Sequence, residues 1–569
     1  MTPPVLDPVT TEVIGSALLS VTDEMSTALI QTAYSPNIKE RADCSTALFD
    51  ADGRVLAQSQ RLPLHMGSML GSVRRVLERS PLKSLADGDM FLANDPYHGG
   101  GSHLPDFNLV APLFHDGALV GFAANCAHHS DVGGMVPGSE SADCRDIYQE
   151  GLRIPPVRLV AAGELNEDIL AIVRLNSRVP QDRSGDLRAQ IAANRVAGRR
   201  VSELCARYGA APLRAHTDAL LAATERRIRA RFAELGLGEF AHTEYLDPLD
   251  PGADGGDALR FQVTLTVTSE ALTFDFTGTS DQVAAGRNVP RDALAATAFC
   301  VVKTLLDPGI AANDGLYRSI RLIAPEGCLV NPVAPAPVGA RALTCGVLAD
   351  AFVGALSLAA PHRAVAGSAP HQLAIFAGTD PRTGRYFVDY ETLAGAMGAR
   401  AGRDGWDAVR IYASGAANLP VEPLEQAFPL RVERYELLPG SSGAGRRRGG
   451  LGIRRDYRIL ADEAEISLTG ERHHCPARGR DGGDDGAPGG FVLNPGRDDE
   501  RRLPSVVRGL TLRRGDVLRV DTPGGAGYGP ASEREEDLAR ADQIQGKTVS
   551  GTTAAEPAAA ADETEVTNP

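Results

Sequence analysis

The chain has 569 residues, 43% of them hydrophobic, with 58 basic against 73 acidic side chains and a formal charge of -15. That length and apolar share support roughly three or four packed domains and exclude a disordered polypeptide. The acidic balance excludes a nucleic-acid surface, which needs a basic excess on one face to neutralise phosphates. Residues 531–569 hold nine acidic and three basic side chains, so the tail supplies -6 of the charge and the body is only mildly acidic. The eight cysteines form no C-x-x-C pair and are scattered along the chain, the pattern of reduced, buried thiols. The N-terminal MTPPVLDPVTTEVIG has no basic or apolar leader segment, and no apolar run approaches the ~18 residues of a membrane span. A cytoplasmic protein without a membrane partner is expected.

Apolar residues at helical spacing predict a first helix over Pro8–Tyr34, started by Asp7 or Pro8 and stopped by Pro36. NIKERADCSTALFDADGRVLAQ then reads as a hairpin around Asp52-Gly53, with Asp43 at the start of its first strand. There Asp43 either projects into a site or pairs locally with Arg41 or a turn. Met66–Ser80 reads as a helix with His65 at its N-terminus, a position that usually holds a capping or packing residue.

The stretch from Asn94 to Gly134 gathers five of the twelve histidines and four aspartates. Its middle, Phe107–Ala127, predicts two antiparallel strands joined at His115-Asp116-Gly117. The entering end carries His98, His103 and Asp106, and the leaving end His128, His129 and Asp131. One hairpin therefore brings imidazoles and carboxylates together at its open end. Mixed nitrogen and oxygen donors suit zinc, manganese or iron(II). The plainer alternative is a glycine-rich loop whose polar residues solvate one another.

Pro155-Pro156 forces extended chain after this. Long helices follow over Asn166–Tyr208, with a break at Pro180, and over Ala211–Leu235. Strict alternation in FQVTLTVTSEALTFDFTG places the start of a β-rich region near residue 245. Helices recur at Arg291–Leu306 and Ala342–Ala359, and strands in RRDYRILADEAEISLTGE and VVRGLTLRRGDVLRVDTPGG. The expected organisation is α+β: residues 1–244 with the hairpins and long helices, 245–530 rich in strands, and 531–569 an acidic, largely disordered tail.

Several motifs carry no chemistry. Gln545-Gly546-Lys547-Thr548 resembles the end of a P-loop, but Ala541 stands where glycine is needed and no strand precedes it. The glycines of Gly524–Gly529 have the wrong spacing for a dinucleotide fingerprint. Arg446-Arg447-Arg448, ringed by glycines, reads as a solvated loop, an anion nest, or an anchor for a partner's carboxylates. No G-x-S-x-G elbow is present.

DPVTTEVI, KERADCSTALFD, LPLHMGSM, NDPYHGGGSHLPD, AHHSDVGG, IYQEGLRIPP, AGRNVP, LPVEPLEQAFP, GAGRRRGGLGIRRDY and TPGGAGYG together resemble the hydantoinase B/oxoprolinase family over residues 7 to about 530. The resemblance implies a multi-domain hydantoinase B-like fold and one divalent metal, zinc or manganese with iron as a third option, held by Asp43, His103, Asp106 and His128. His98, His129 and Asp131 are then left around the metal, with His129 as a proton-transfer group and Asp131 as its orienter. The resemblance also implies hydrolysis of a cyclic amide phosphorylated by a separate A-type ATPase subunit, which uses the ATP-Mg, in a hetero-oligomer of dimers. Two alternatives go with it: a subunit of an ATP-dependent ketone carboxylase, and a scaffold that has lost chemistry.

Overall fold

The computed structural model describes residues 6–59, 61–250, 256–412 and 414–548. Four sheets and a set of long helices make up the fold, and the central hairpin forms the middle of the largest sheet. Its strands Asp106–His115 and Ala118–His128 meet at a turn where Asp116 (φ 49°) and Gly117 (φ 78°) both take left-handed backbone, as a tight two-residue hairpin demands. Cys44–Asp50 and Val55–Gln58 extend the sheet on one side. Met90–Ala93, Val157–Ala161 and Glu164–Leu165 extend it on the other. All seven strands are antiparallel.

Both faces are covered at the middle of this sheet, so Cys44–Asp50, Met90–Ala93 and most of the two hairpin strands are buried without polar alternation. Leu48, Ala123 and Ala127 pack with Ile14, Leu18 and Met25 of the helix Pro8–Thr32 and with Ala189, Ala193 and Ala197 of Pro180–Tyr208. Their neighbours Ala47, Phe49, Phe122, Ala124 and Cys126 point the other way, onto Pro63–Arg79 and Arg291–Leu306. This period-2 division is what assigns each residue at the open end of the hairpin to a face. The second core runs across the expected boundary near residue 245, joining Ala47 to Val365.

Asp7 caps the first helix, its carboxylate accepting from the Val9 and Thr10 amides. The break at Pro180 falls between Glu167–Leu175 and Pro180–Tyr208. Contrary to the sequence reading, two helices reach the length and hydropathy of a membrane span. Arg341–Ala359, with a mean hydropathy of 1.8, is 89% buried within the protein. Pro8–Thr32 lays its apolar stripe on the sheet.

Three further sheets complete the fold. One pairs Gly238–Leu246, Leu259–Val267, Leu272–Asp275 and Ile320–Ile323. Another contains Gln372–Thr379 and Tyr386–Leu393, two strands not expected from the sequence, beside Glu463–Thr469 and Val506–Arg513. The last contains Leu430–Leu437, Ile453–Ile459 and Val517–Asp521. The consecutive strands Ile453–Ile459 and Glu463–Thr469 thus belong to different sheets.

The acidic tail divides. Residues 549–569 lie outside the described residues, but Glu536–Ile544 is a helix. The basic run turns out to anchor carboxylates of this same chain: Arg446 pairs with Glu533, Arg447 with Glu535 and Arg448 with Asp542. Lys547, in the P-loop look-alike, follows the C-terminal end of that helix and pairs with Asp407 at 2.9 Å.

Candidate metal centre

Asp106 lies directly opposite His128 in the hairpin, and opposed residues in an antiparallel pair share a face. That face is covered by Pro63–Arg79, whose first turn carries His65. Cys44 pairs with Ala127 on the adjoining strand, and the His128 amide donates to the Asp43 carbonyl at 3.0 Å. Between Arg41 and Asp43, Ala42 takes a left-handed conformation, φ 53°, at a cost of about 1–2 kcal/mol for a non-glycine residue. Hydrogen bonds on either side hold it there: Asp43 N–H to the Asn37 carbonyl at 3.2 Å, and Asn37 Nδ2 to the His128 carbonyl at 2.8 Å.

At the centre is Asp106 Oδ1, 3.1 Å from His103 Nε2, 3.4 Å from His128 Nδ1 and 3.6 Å from His65 Nε2. His103 Nε2 and His128 Nδ1 are 3.2 Å apart, and all four side chains are buried. The other carboxylate oxygen, Oδ2, is occupied: Ser102 donates to it at 2.8 Å and Arg341 at 2.5 Å. Oδ1 accepts no hydrogen bond. His103 Nδ1 faces the Gly339 carbonyl at 2.9 Å. A carbonyl only accepts, so this contact assigns the proton to Nδ1 and leaves Nε2 presenting a lone pair to the cluster.

A lone pair facing an ionised oxygen calls for a cation between them. The edges of the His103–Asp106–His128 triangle, 3.1 to 3.4 Å, match the ~3.3–3.4 Å between donors of a tetrahedral ion held at ~2.0–2.1 Å. Burial alone would raise the Asp106 pKa, but His103, Arg341 and His65 hold it well below the carboxylate range. Burial lowers both His103 and His128, which keeps them in the neutral, ligating form at neutral pH. Cys126 also approaches Asp106 and His65, but burial and the two aspartates keep its thiol protonated.

The remaining wall comes from far along the chain. The Tyr390 ring packs on His128 with centroids 4.4 Å apart, and its hydroxyl donates to Glu140 Oε2 at 2.5 Å. Glu140 Oε2 lies 3.7 Å from His103 Nδ1, and burial pushes its pKa up to about 7. Glu150 Oε1 accepts from the Val338 and Gly339 amides at 2.8 and 2.6 Å, fixing the carbonyl that orients His103.

Of the residues expected at the site, His103, Asp106 and His128 converge. Asp43 joins them by way of His65, its Oδ1 3.5 Å from His65 Nε2. His98 does not join: it is exposed, in an open cleft with Arg75, Tyr148 and Arg153. His129 points to the opposite face, because successive strand residues alternate. There its Nε2 meets Gln190 Oε1 at 3.0 Å, its ring packs on Phe107, and burial with Arg183 lowers its pKa to about 3. Asp131 does not orient it either. Its carboxylate is taken by the Gly133, Gly138 and Arg178 amides and the Arg178 guanidinium. The sequence reading missed His65, Glu140, Arg341 and Tyr390. Only His65 carried a local signal, as a histidine in the first turn of a helix beside the hairpin.

This α+β assembly of several sheets is a fold seen in solved structures. The chain matches the ATP-dependent caprolactamase from Pseudomonas jessenii with a TM-score of 0.87 at 29% identity, covering 96% of this chain and 95% of that one. It matches the nucleotide-free structure of acetone carboxylase with a TM-score of 0.87 over 96% and 78% of the two chains; at 19% identity that is a likeness of fold. The caprolactamase subunit beta of Pseudomonas jessenii is 32% identical over 555 residues, covering 93% of this chain and 92% of the relative. The Hydantoinase B/oxoprolinase family model matches residues 7–531, and the chain belongs to that family.

Proposed function

We propose that this chain is the metal-bearing subunit of an ATP-dependent cyclic amide hydrolase. It opens a hydantoin-, oxoproline- or lactam-type ring after a separate A-type ATPase subunit has phosphorylated the amide oxygen. The observation that carries this reading is the meeting of His103 Nε2, His128 Nδ1 and Asp106 Oδ1, donor atoms directed at one point. Family membership and the caprolactamase relative support the substrate class. Eight free cysteines fit a reducing, cytoplasmic setting.

An amide is a poor electrophile because its nitrogen lone pair is delocalised and an amine leaves badly. Phosphorylation of the oxygen removes the first obstacle, and release of phosphate makes ring opening downhill. Asp43, His103, Asp106 and His128 would hold zinc or manganese. Such an ion supplies Lewis acidity and lowers the pKa of water toward neutrality. The protein's part is to orient. The Gly339 carbonyl fixes the His103 tautomer, while Arg341 and Ser102 hold Asp106 Oδ2 so that Oδ1 faces inward. Glu140 and Tyr390 take the proton-handling role that sequence assigned to His129 and Asp131. Glu140, with a pKa of about 7, can hold or release a proton at working pH.

The test is reconstitution with an A-type ATPase subunit against a panel of hydantoins, 5-oxoproline and lactams. One phosphate released per ring opened, and none with His103→Ala, is the expected result. Phosphate release that instead needs bicarbonate and a ketone would point to a carboxylase. A purified chain without stoichiometric metal would point to a scaffold.

A further inference from the structure

Arg41 and Arg410 close on one threonine beside the metal centre. On the strand Tyr386–Leu393, Tyr390 and Thr392 share a face, Tyr390 against His128 and Thr392 against the two guanidiniums. Arg41 donates to the Tyr390 carbonyl and the Thr392 hydroxyl. Arg410 Nη2 donates to the Thr392 carbonyl at 2.6 Å and to the same hydroxyl, and Nη1 to Ser414 Oγ at 3.2 Å. Among the described residues these Arg410 partners are all neutral oxygens, and its buried Nε has none.

Among the described residues, no carboxylate hydrogen-bonds Arg410. Glu391 Oε1 is 3.8 Å from Arg41 and accepts no hydrogen bond, while its Oε2 takes Arg455 at 2.9 Å and the Tyr457 hydroxyl at 2.6 Å. Asp106 is held by Arg341, and Asp43 Oδ1 lies 3.5 Å from His65. Burial and Arg41 lower the Arg410 pKa to about 9 against the opposing pull of Asp43, Tyr390 and Glu391. His371, buried close by, is likewise held well below its usual range by burial and by Arg410, Arg41 and Arg341.

We propose that Arg410, backed by Arg41, is an oxyanion subsite that binds the phosphoryl group of the activated substrate and the inorganic phosphate product. An unpartnered guanidinium N–H suits a phosphate oxygen. Arg410 is half-buried, while Arg41 behind it is fully buried. The subsite deepens the hydrolase reading and rests on it.

The experiment titrates inorganic phosphate into the metal-loaded full-length chain by calorimetry, at constant ionic strength in chloride, for wild type, Arg410→Gln and Arg410→Lys. Wild type is expected to bind phosphate. Arg410→Gln should weaken it by about tenfold or more, the effect of losing a charge-assisted partner, with metal content and circular dichroism unchanged, and Arg410→Lys should fall between. Should Arg410→Gln fail to fold, Thr392→Val, which removes the shared hydroxyl, is expected to weaken phosphate in the same direction. Wild type that binds no phosphate, an unchanged affinity in the variant, or a preference for bicarbonate at this residue would each overturn the subsite. Because no amide and no ATPase subunit are present, phosphate binding through Arg410 without ring opening would spare the subsite and defeat only the hydrolase reading.

Discussion

Glu150→Gln isolates one buried carboxyl whose job is to hold the loop that orients His103. In the folded protein burial pushes Glu150 up to about 8, against 4.5 for an ordinary glutamate, and its Oε2 finds no partner. Folding therefore takes up a proton between those two values. A raised folded-state pKa contributes stability that is full below about pH 4.5 and is lost as pH rises through about 8. The loss is at most ~1.4 kcal/mol per pH unit in that window. Glutamine keeps the acceptor for the Val338 and Gly339 amides and does not titrate, so the variant lacks this slope. Urea unfolding of both proteins at pH 5, 6, 7 and 8 should show the variant gaining on wild type by ~1 kcal/mol or more per unit. A difference that stays flat across the series would mean that Glu150 is ionised in the fold and that the reasoning from its burial is wrong.

Asp106→Asn should abolish stoichiometric metal and also cost ~3–5 kcal/mol, because it leaves Arg341 buried beside a neutral partner; plasma mass spectrometry and thermal melts would read the two effects. His129→Leu should lower stability by ~1–3 kcal/mol through the stranded Gln190 while metal content stays at wild-type level, and loss of metal would place His129 at the site after all. Gly71→Ala should prevent soluble folding, since a Cβ there would sit 2.4 Å from the Gly100 carbonyl oxygen; a well-behaved variant would show that helix and loop can separate. The isolated chain should hydrolyse no ATP, and turnover in a preparation free of partner would overturn the division of labour.

The hairpin was legible because its turn, its alternation and its polar ends are all local. What the local pattern did not show, and only the family resemblance supplied, is which histidine of the adjacent pair joins Asp106. A regular ladder counted from the Asp116-Gly117 turn puts Asp106 opposite Ala127, and on that count His129 shares its face. The real ladder shifts at Leu113/Phe114, where the return strand carries an extra residue, so His128 stands opposite instead. One bulge sets which of the two imidazoles faces Asp106. Arg341 and Tyr390 were invisible for a different reason: they come from segments more than 200 residues beyond the hairpin, read as scaffold or not read at all. The strands Gln372–Thr379 and Tyr386–Leu393 are buried on both faces and lack the alternation that marks a half-exposed strand. The ion pairs of Arg446, Arg447 and Arg448 likewise bind carboxylates some 90 residues away.

The contact of Tyr390 with His128 lies on a seam. One side is residues 41–140 and the other is the helix and strands of residues 339–392, and bonds from Arg41 to Tyr390 and Thr392, from Arg341 to Asp106 and from Tyr390 to Glu140 cross it. Parting the two sides even slightly would loosen all of these at once, together with the packing on His128. The two sides are thus tied through the cluster itself: a separation along this line would loosen the hold on Asp106 and uncover His128 in the same movement.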